Sequence, residues 1–119
     1  MGRLGDIIWR KLFPRRQAKA ESDEGVMFSI SGINFRGLTE DDLGDFDGTI
    51  RCEYDNERDP YALAVYTDQG KHVGYIPGGN KDLFRRIDAR GGRALCEGWI
   101  EQGEEDNRTF FYGRVKILW

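Results

Sequence analysis

The stretch Glu53-Tyr54-Asp55-Asn56-Glu57-Arg58-Asp59-Pro60-Tyr61-Ala62-Leu63-Ala64-Val65, followed at short range by Gly70-Lys71-His72-Val73-Gly74-Tyr75-Ile76-Pro77, decides the fold. Its first half is polar and its second half apolar, so a turn hands the chain into a strand. Glu53, Asn56, Arg58 and Asp59 fall around that turn. Asn and Asp side chains there can bond their own backbone, and Pro60 removes a donor and stiffens the exit. Residues 62–67 and 72–76 read as two strands joined by Asp68-Gln69-Gly70-Lys71, a hairpin loop. Gly74 interrupts the second apolar strand, the signature of a bulge or a close backbone approach.

Outward from this hairpin the chain keeps a period of two. Residues 26–35 read as a first strand with Gly32 as a bulge, 39–48 as an acidic loop, and 49–54 as a second strand. Asn80 can cap a helix over 81–89 with Leu83, Phe84 and Ile87 inward and Gly91-Gly92 ending it. Residues 93–102 and 108–118 form a final pair around a 103–107 loop. Phe111, Gly113, Val115, Ile117 and Trp119 share one face of its second member. About six short antiparallel strands with one or two helices predict a mainly β fold, a small barrel of the OB-like or SH3-like kind. Before it, residues 1–13 read as an amphipathic helix with Leu4, Ile8 and Leu12 four apart. Pro14 ends that helix, and 14–25 is a polar linker, leaving 26–119 as the barrel domain.

At the quoted residues the sequence resembles the HIRAN domain family, whose pattern runs roughly Arg-Glu-Pro-x-Asn-Pro-Tyr-Asp-x-Asn-Ala-Ile-x-Val, then a Gly turn and Val-Gly-Tyr-Ile/Leu-Pro. Glu53, Asn56, Asp59, Ala62, Leu63, Val65, Val73, Gly74, Tyr75, Ile76 and Pro77 fit it in order. Upstream, Gly32-Ile33-Asn34-Phe35-Arg36-Gly37 is similar to the family's first-strand motif. The resemblance covers roughly Phe28 to the C-terminus and implies a modified OB-like barrel that holds the 3′ end of single-stranded DNA. It also implies a recruitment role in DNA repair or processing, here in a small stand-alone bacterial form. Carried over, Phe35 is the aromatic that stacks on the terminal base, with Asn34 beside it at the backbone. Asp59 is the acid that accepts from a terminal 3′-hydroxyl, and Tyr75 lines the same pocket. Arg58 stands where well-studied members have a second stacking tyrosine; a guanidinium can stack on a base or grip a phosphate. Tyr54 and Glu57 replace prolines of the pattern.

Composition bounds the alternatives. Among 119 residues, 39% are hydrophobic, 33% charged and 13% aromatic, which a disordered chain would not show. No run approaches the ~20 apolar residues of a transmembrane helix, and no secretory signal is recognisable, so no integral membrane association and a cytoplasmic location are expected. Residues 1–20 hold six basic side chains and one acidic, a net of +5; the other 99 residues hold twelve and twenty, a net of −8. An acidic barrel cannot grip duplex phosphates broadly, so any nucleic-acid site is small and local or borrows the basic arm. Cys52 and Cys96 lie within strands and, with His72 alone for imidazole, build no metal site; no cofactor is expected. His72 itself reads as an exposed hairpin residue. Glu40, Asp41, Asp42, Asp45 and Asp47 lack the spacing of a calcium loop. Arg85, Arg86, Arg90 and Arg93 form either a phosphate-facing patch or a solvated helix face. Phe35 is a stacking platform or a core aromatic, and Asp59 a ligand or a turn former. No nucleophile, Walker or metalloprotease motif is present, so a non-enzyme is expected. The competing function is an adaptor for a protein or a membrane surface through the basic N-terminus.

Overall fold

The computed structural model describes residues 26–119. The helix and linker expected over 1–25 lie outside the described residues. From Val26 onward the chain forms strands β1 (Met27–Ser29), β2 (Gly44–Cys52), β3 (Leu63–Thr67), β4 (His72–Tyr75), β5 (Arg93–Glu105) and β6 (Arg108–Leu118), with one α-helix, α1 (Lys81–Asp88), before β5. All strand pairs are antiparallel, in the order β1-β6-β5-β2-β3-β4. The mainly β content and the six antiparallel strands are as the alternation predicts, and the sheet curls into a half-barrel. The two sheet edges meet just beyond β1, where Ser31 and Tyr75 exchange backbone hydrogen bonds of 2.8 and 2.9 Å.

That closure explains Gly74. Its φ is +152°, and a Cβ there would meet the Ile30 side chain and lie 2.6 Å from the Ser31 carbonyl oxygen. The two edges come together because that position has no side chain.

Ile30, Ile50, Leu63, Val65, Val73, Ile100, Val115 and Ile117 fill the interior, and α1 closes one side of it with Phe84 and Ile87. Cys52 and Cys96 are buried free thiols, and burial pushes Cys96 up to about 12, so it stays protonated and unreactive.

Four local expectations change. Gly32 is not a bulge: at φ +69° it opens a 3-10 turn over Ile33–Phe35, which ends the first strand early. The acidic loop is shorter than expected, because Asp45-Phe46-Asp47-Gly48 alternates between faces and extends β2 back to Gly44. What remains of the loop is a 3-10 turn, Glu40–Asp42, closed by a capping box from Thr39 and by a 2.7 Å ion pair between Asp42 and Lys71. The β5–β6 connection shrinks to Asp106 and Asn107, both at positive φ, the two-residue hairpin turn that Asp and Asn tolerate. Asn80 holds the N-cap position of α1, its carbonyl accepting from the Phe84 amide at 2.9 Å, but its side chain makes no cap bond; the side-chain amide donates instead to the Pro77 carbonyl at 2.6 Å.

Candidate nucleic-acid interface

The residues singled out in the sequence gather around the line of closure. The 3-10 turn Ile33–Phe35 is pinned to β6 by Asn34, whose Nδ2 donates to the Phe111 carbonyl at 3.0 Å while its Oδ1 accepts from the Phe111 amide at 2.7 Å. Both polar atoms of Asn34 are thus engaged by one backbone unit, which makes it the anchor of the turn. The next residue, Phe35, is 84% exposed. It borders a cavity of about 370 Å³ with Ser29, Asn34, Phe111 and Arg114 among its lining. Of the two sequence readings of Phe35, the core aromatic is eliminated.

The other side of the turn reaches β4. Arg36 donates through Nη1 to His72 Nδ1 at 2.9 Å and lies 5.9 Å from the Tyr75 ring centroid. His72 Nε2 is 2.9 Å from the Gly74 carbonyl, so Nε2 carries the proton and Nδ1 accepts. His72 is therefore not the exposed hairpin residue expected. Its ring stacks on Tyr66 at 4.8 Å and meets the Tyr75 ring edge-on at 4.8 Å. Burial, and then the Arg36 charge, hold its pKa below the ordinary value. Arg51 extends this ladder, with its guanidinium 4.4 Å from the Tyr66 centroid.

Tyr75 links the ladder to the polar turn. Its hydroxyl donates to Glu53 Oε1 at 2.8 Å, and the same oxygen accepts from Asn56 Nδ2 at 2.8 Å. Asn56 Oδ1 in turn accepts from the amides of Arg58 and Asp59, each at 2.9 Å. Asp59 Oδ1 accepts from the Tyr61 amide at 2.9 Å, an Asx turn. Asp59 is half-buried and Arg58 exposed. Burial and the bond to Glu53 raise the Tyr75 pKa. The turn is also tied to α1: Tyr54 donates to Asp88 at 2.5 Å and packs edge-on against Phe84. The Asp88 bond first, then burial, raises the Tyr54 pKa to about 12, so Tyr54 stays a donor. Tyr54 thus supplies by a hydrogen bond some of the stiffness that the missing proline would give.

Tyr75, Arg58 and Asp59 therefore belong to one hydrogen-bonded unit, and Asn34 and Phe35 join it through Arg36 and the Ser31 bridge. Arg36, Glu53, Asn56 and His72 are the members that sequence reasoning placed in motifs without giving them a role. Regular alternation would set His72 and Tyr75 on opposite faces; a register shift between Val65 and Tyr66, across which Ala64 pairs with Tyr75 and Tyr66 with His72, puts these rings on one face, and only Gly74 in the sequence hinted at it. The arginines in and after α1 do not form a uniform patch: Arg86 of the helix and Arg90 of the turn behind it lie over the Trp119 ring at 3.7 and 5.0 Å. Among the described residues no cluster of His, Cys, Asp or Glu could hold a metal ion, and no helix is long and apolar enough to cross a membrane.

A six-stranded antiparallel sheet curled into a half-barrel, with its edges bridged at Ser31 and Tyr75, defines the class of small β-barrel-like domains. Within that class the chain belongs to the HIRAN domain family, whose profile matches residues 13–116. HIRAN domains as a class bind nucleic acid. The fold is similar to the crystal structure of the HIRAN domain of human HLTF, at TM-score 0.52 and 16% identity over 78% of this chain and 74% of that one. A protein from Lactobacillus plantarum is matched at TM-score 0.45 and 17% identity, over 76% of this chain and 91% of that one. No curated protein sequence matches the chain.

Proposed function

We propose that this HIRAN domain binds single-stranded DNA at a free 3′-hydroxyl end, without catalysis, and serves to recruit other activities to that end in DNA repair or processing. The carrying observation is Phe35: a large aromatic, 84% exposed, on a turn whose anchor is a double hydrogen bond from Asn34. An exposed ring held in place is a stacking platform for a base, and stacking is worth ~1–3 kcal/mol per base. Asn34 positions that platform, and Tyr75 positions the 53–59 turn through Glu53. Arg58 is exposed to meet an internal phosphate. Asp59 uses Oδ1 for its own turn, and its carboxylate accepts the terminal hydroxyl.

One or two stacked bases give modest affinity, which suits a recruitment role. Fluorescence anisotropy of the full chain with short oligonucleotides bearing a free 3′-hydroxyl tests the reading. Binding that is strongest at low salt is expected, because a few phosphate contacts add to the stacking. Absence of binding even at low salt contradicts it.

A further inference from the structure

On the outward face of the sheet, one row crosses four strands: Met27 of β1 stands opposite Lys116 of β6, Lys116 opposite Glu97 of β5, and Glu97 opposite Asp47 of β2. The neighbouring row sets Trp99 opposite Asp45 and Arg114. These residues alternate with Cys96, Gly98 and Ile100, which face the core, so they point away from it. An outward face should be wet, and two residues earlier it is: Leu95 is 64% exposed. Yet Glu97 is 0%, Lys116 3% and Trp99 5% exposed. Both carboxylate oxygens of Asp45 and one of Glu101 are also buried, without a hydrogen bond among the described residues.

Burial on the outside of a barrel requires a cover. Among the described residues no element lies across this face: α1 enters the core with Phe84 and Ile87, and the 3-10 turn meets β6 at Phe111. The cover must suit a surface with one large apolar ring and the carboxylates of Asp45, Asp47, Glu97 and Glu101. That charge excludes a nucleic-acid backbone and calls for a cationic segment with apolar side chains.

We infer that this acidic outer face of β2, β5 and β6 is the docking site of the chain's own basic N-terminal segment, residues 1–20. That segment carries Arg3, Arg10, Lys11, Arg15, Arg16 and Lys19 against Asp6, with Leu4, Ile7, Ile8, Trp9 and Leu12 to lie against Trp99. The connection is short. Residues 21–26 span at most roughly 20 Å when extended. Met27 sits in the same row as Glu97, two strand spacings or about 10 Å away. The segment thus leaves the barrel at the border of the face it covers. Docked there, its charges are neutralised by the barrel, and they serve neither as a general phosphate grip nor as a membrane anchor. This inference is independent of the 3′-end reading.

The test is paramagnetic relaxation in the full chain. A nitroxide is placed at Gly5→Cys, which removes neither a charge nor an apolar side chain of the segment; Cys52 and Cys96 are buried and stay unlabelled. Relaxation enhancement several-fold stronger at the amides of 97–101 and 112–116 than at 54–61 is the expected result. Uniform weak enhancement over the barrel, or enhancement centred on Phe35 and Tyr75, would overturn the inference. So would equal enhancement in a mixture of spin-labelled, unenriched chains with unlabelled isotope-enriched ones, because the cover would then come from a second copy.

Discussion

The closure of the barrel and the outward face of β5 break the same rule in opposite directions. At the closure, Phe35 is a large apolar ring left in water, although its turn is fixed by two hydrogen bonds to β6. On β5, Glu97 is a carboxylate taken out of water on the side of the sheet that should be solvated. An exposed aromatic on a rigid support marks a place kept open for a ligand. A buried charge on an outer face marks a place already filled. The two regions also differ in sign. The first carries Arg36 and Arg51 against aromatic rings with Arg58 exposed beside them, and the second is dominated by carboxylates, so the charge of the first suits a nucleic acid and that of the second does not.

The largest effect that would break this contrast comes from the closure itself. Gly74→Val should destabilise the protein by roughly 2–6 kcal/mol, through a strained backbone and a collision with Ile30 and the Ser31 carbonyl. Thermal unfolding measures it, and an unchanged midpoint would mean that the sheet edges are not joined there. Phe35→Ala comes next. It should weaken oligonucleotide binding by ~1–3 kcal/mol, roughly 5- to 150-fold, while its stability stays within about 0.5 kcal/mol of wild type, as for a surface substitution. A large fall in stability would return Phe35 to the core and erase the contrast with β5.

A smaller effect sharpens the network. Tyr75→Phe removes the donor to Glu53 and should cost about 0.5–1.5 kcal/mol of stability, measured by chemical denaturation. The smallest is a pH effect. The folded state holds the His72 pKa below its ordinary 6.5, so the unfolded chain takes up that proton more readily. The His72 contribution is therefore present above about pH 6.5 and diminishes as the pH falls through that value toward the depressed native pKa. His72→Gln should flatten this part of a plot of melting temperature against pH.

Much of the architecture was legible because alternation and turn residues report directly on strands and their ends. The hairpin around Gly70, the helix after Asn80 and the last strand pair stand where the period of two and the glycines put them. Legibility failed where acid content or a single glycine carried two meanings. Asp45 and Asp47 read as loop because they are charged, yet they are the outward half of a strand. Gly32 fits a bulge and a left-handed turn equally, and only the packing of Ile33 beneath the turn distinguishes them. The candidate site was legible through its motif, but the exposure of Phe35 was not, since a buried and an exposed aromatic have the same letter. His72 could not be placed without the register that stacks it on Tyr66. Glu97 was invisible altogether, because its burial depends on a surface that β5 and β6 share with β2, about fifty residues earlier in the chain, and on what covers it.

The central claim is that the closure reads the end of a strand, and the pair Arg58–Asp59 allows a direct test. A carboxylate repels a continuous phosphodiester chain and becomes favourable only where the chain stops, because a terminal hydroxyl can donate to it in a short charge-assisted bond. A 3′-phosphate brings ~1.5–2 negative charges against it instead. The decisive measurement is the affinity of the wild-type full chain for one oligonucleotide with a 3′-hydroxyl and the same oligonucleotide with a 3′-phosphate. The account predicts a preference for the hydroxyl of roughly tenfold or more, erased by Asp59→Ala with the fold intact, while Arg58→Ala weakens both ligands alike. Equal wild-type affinity for the two ends would contradict it and leave Asp59 as a turn residue only.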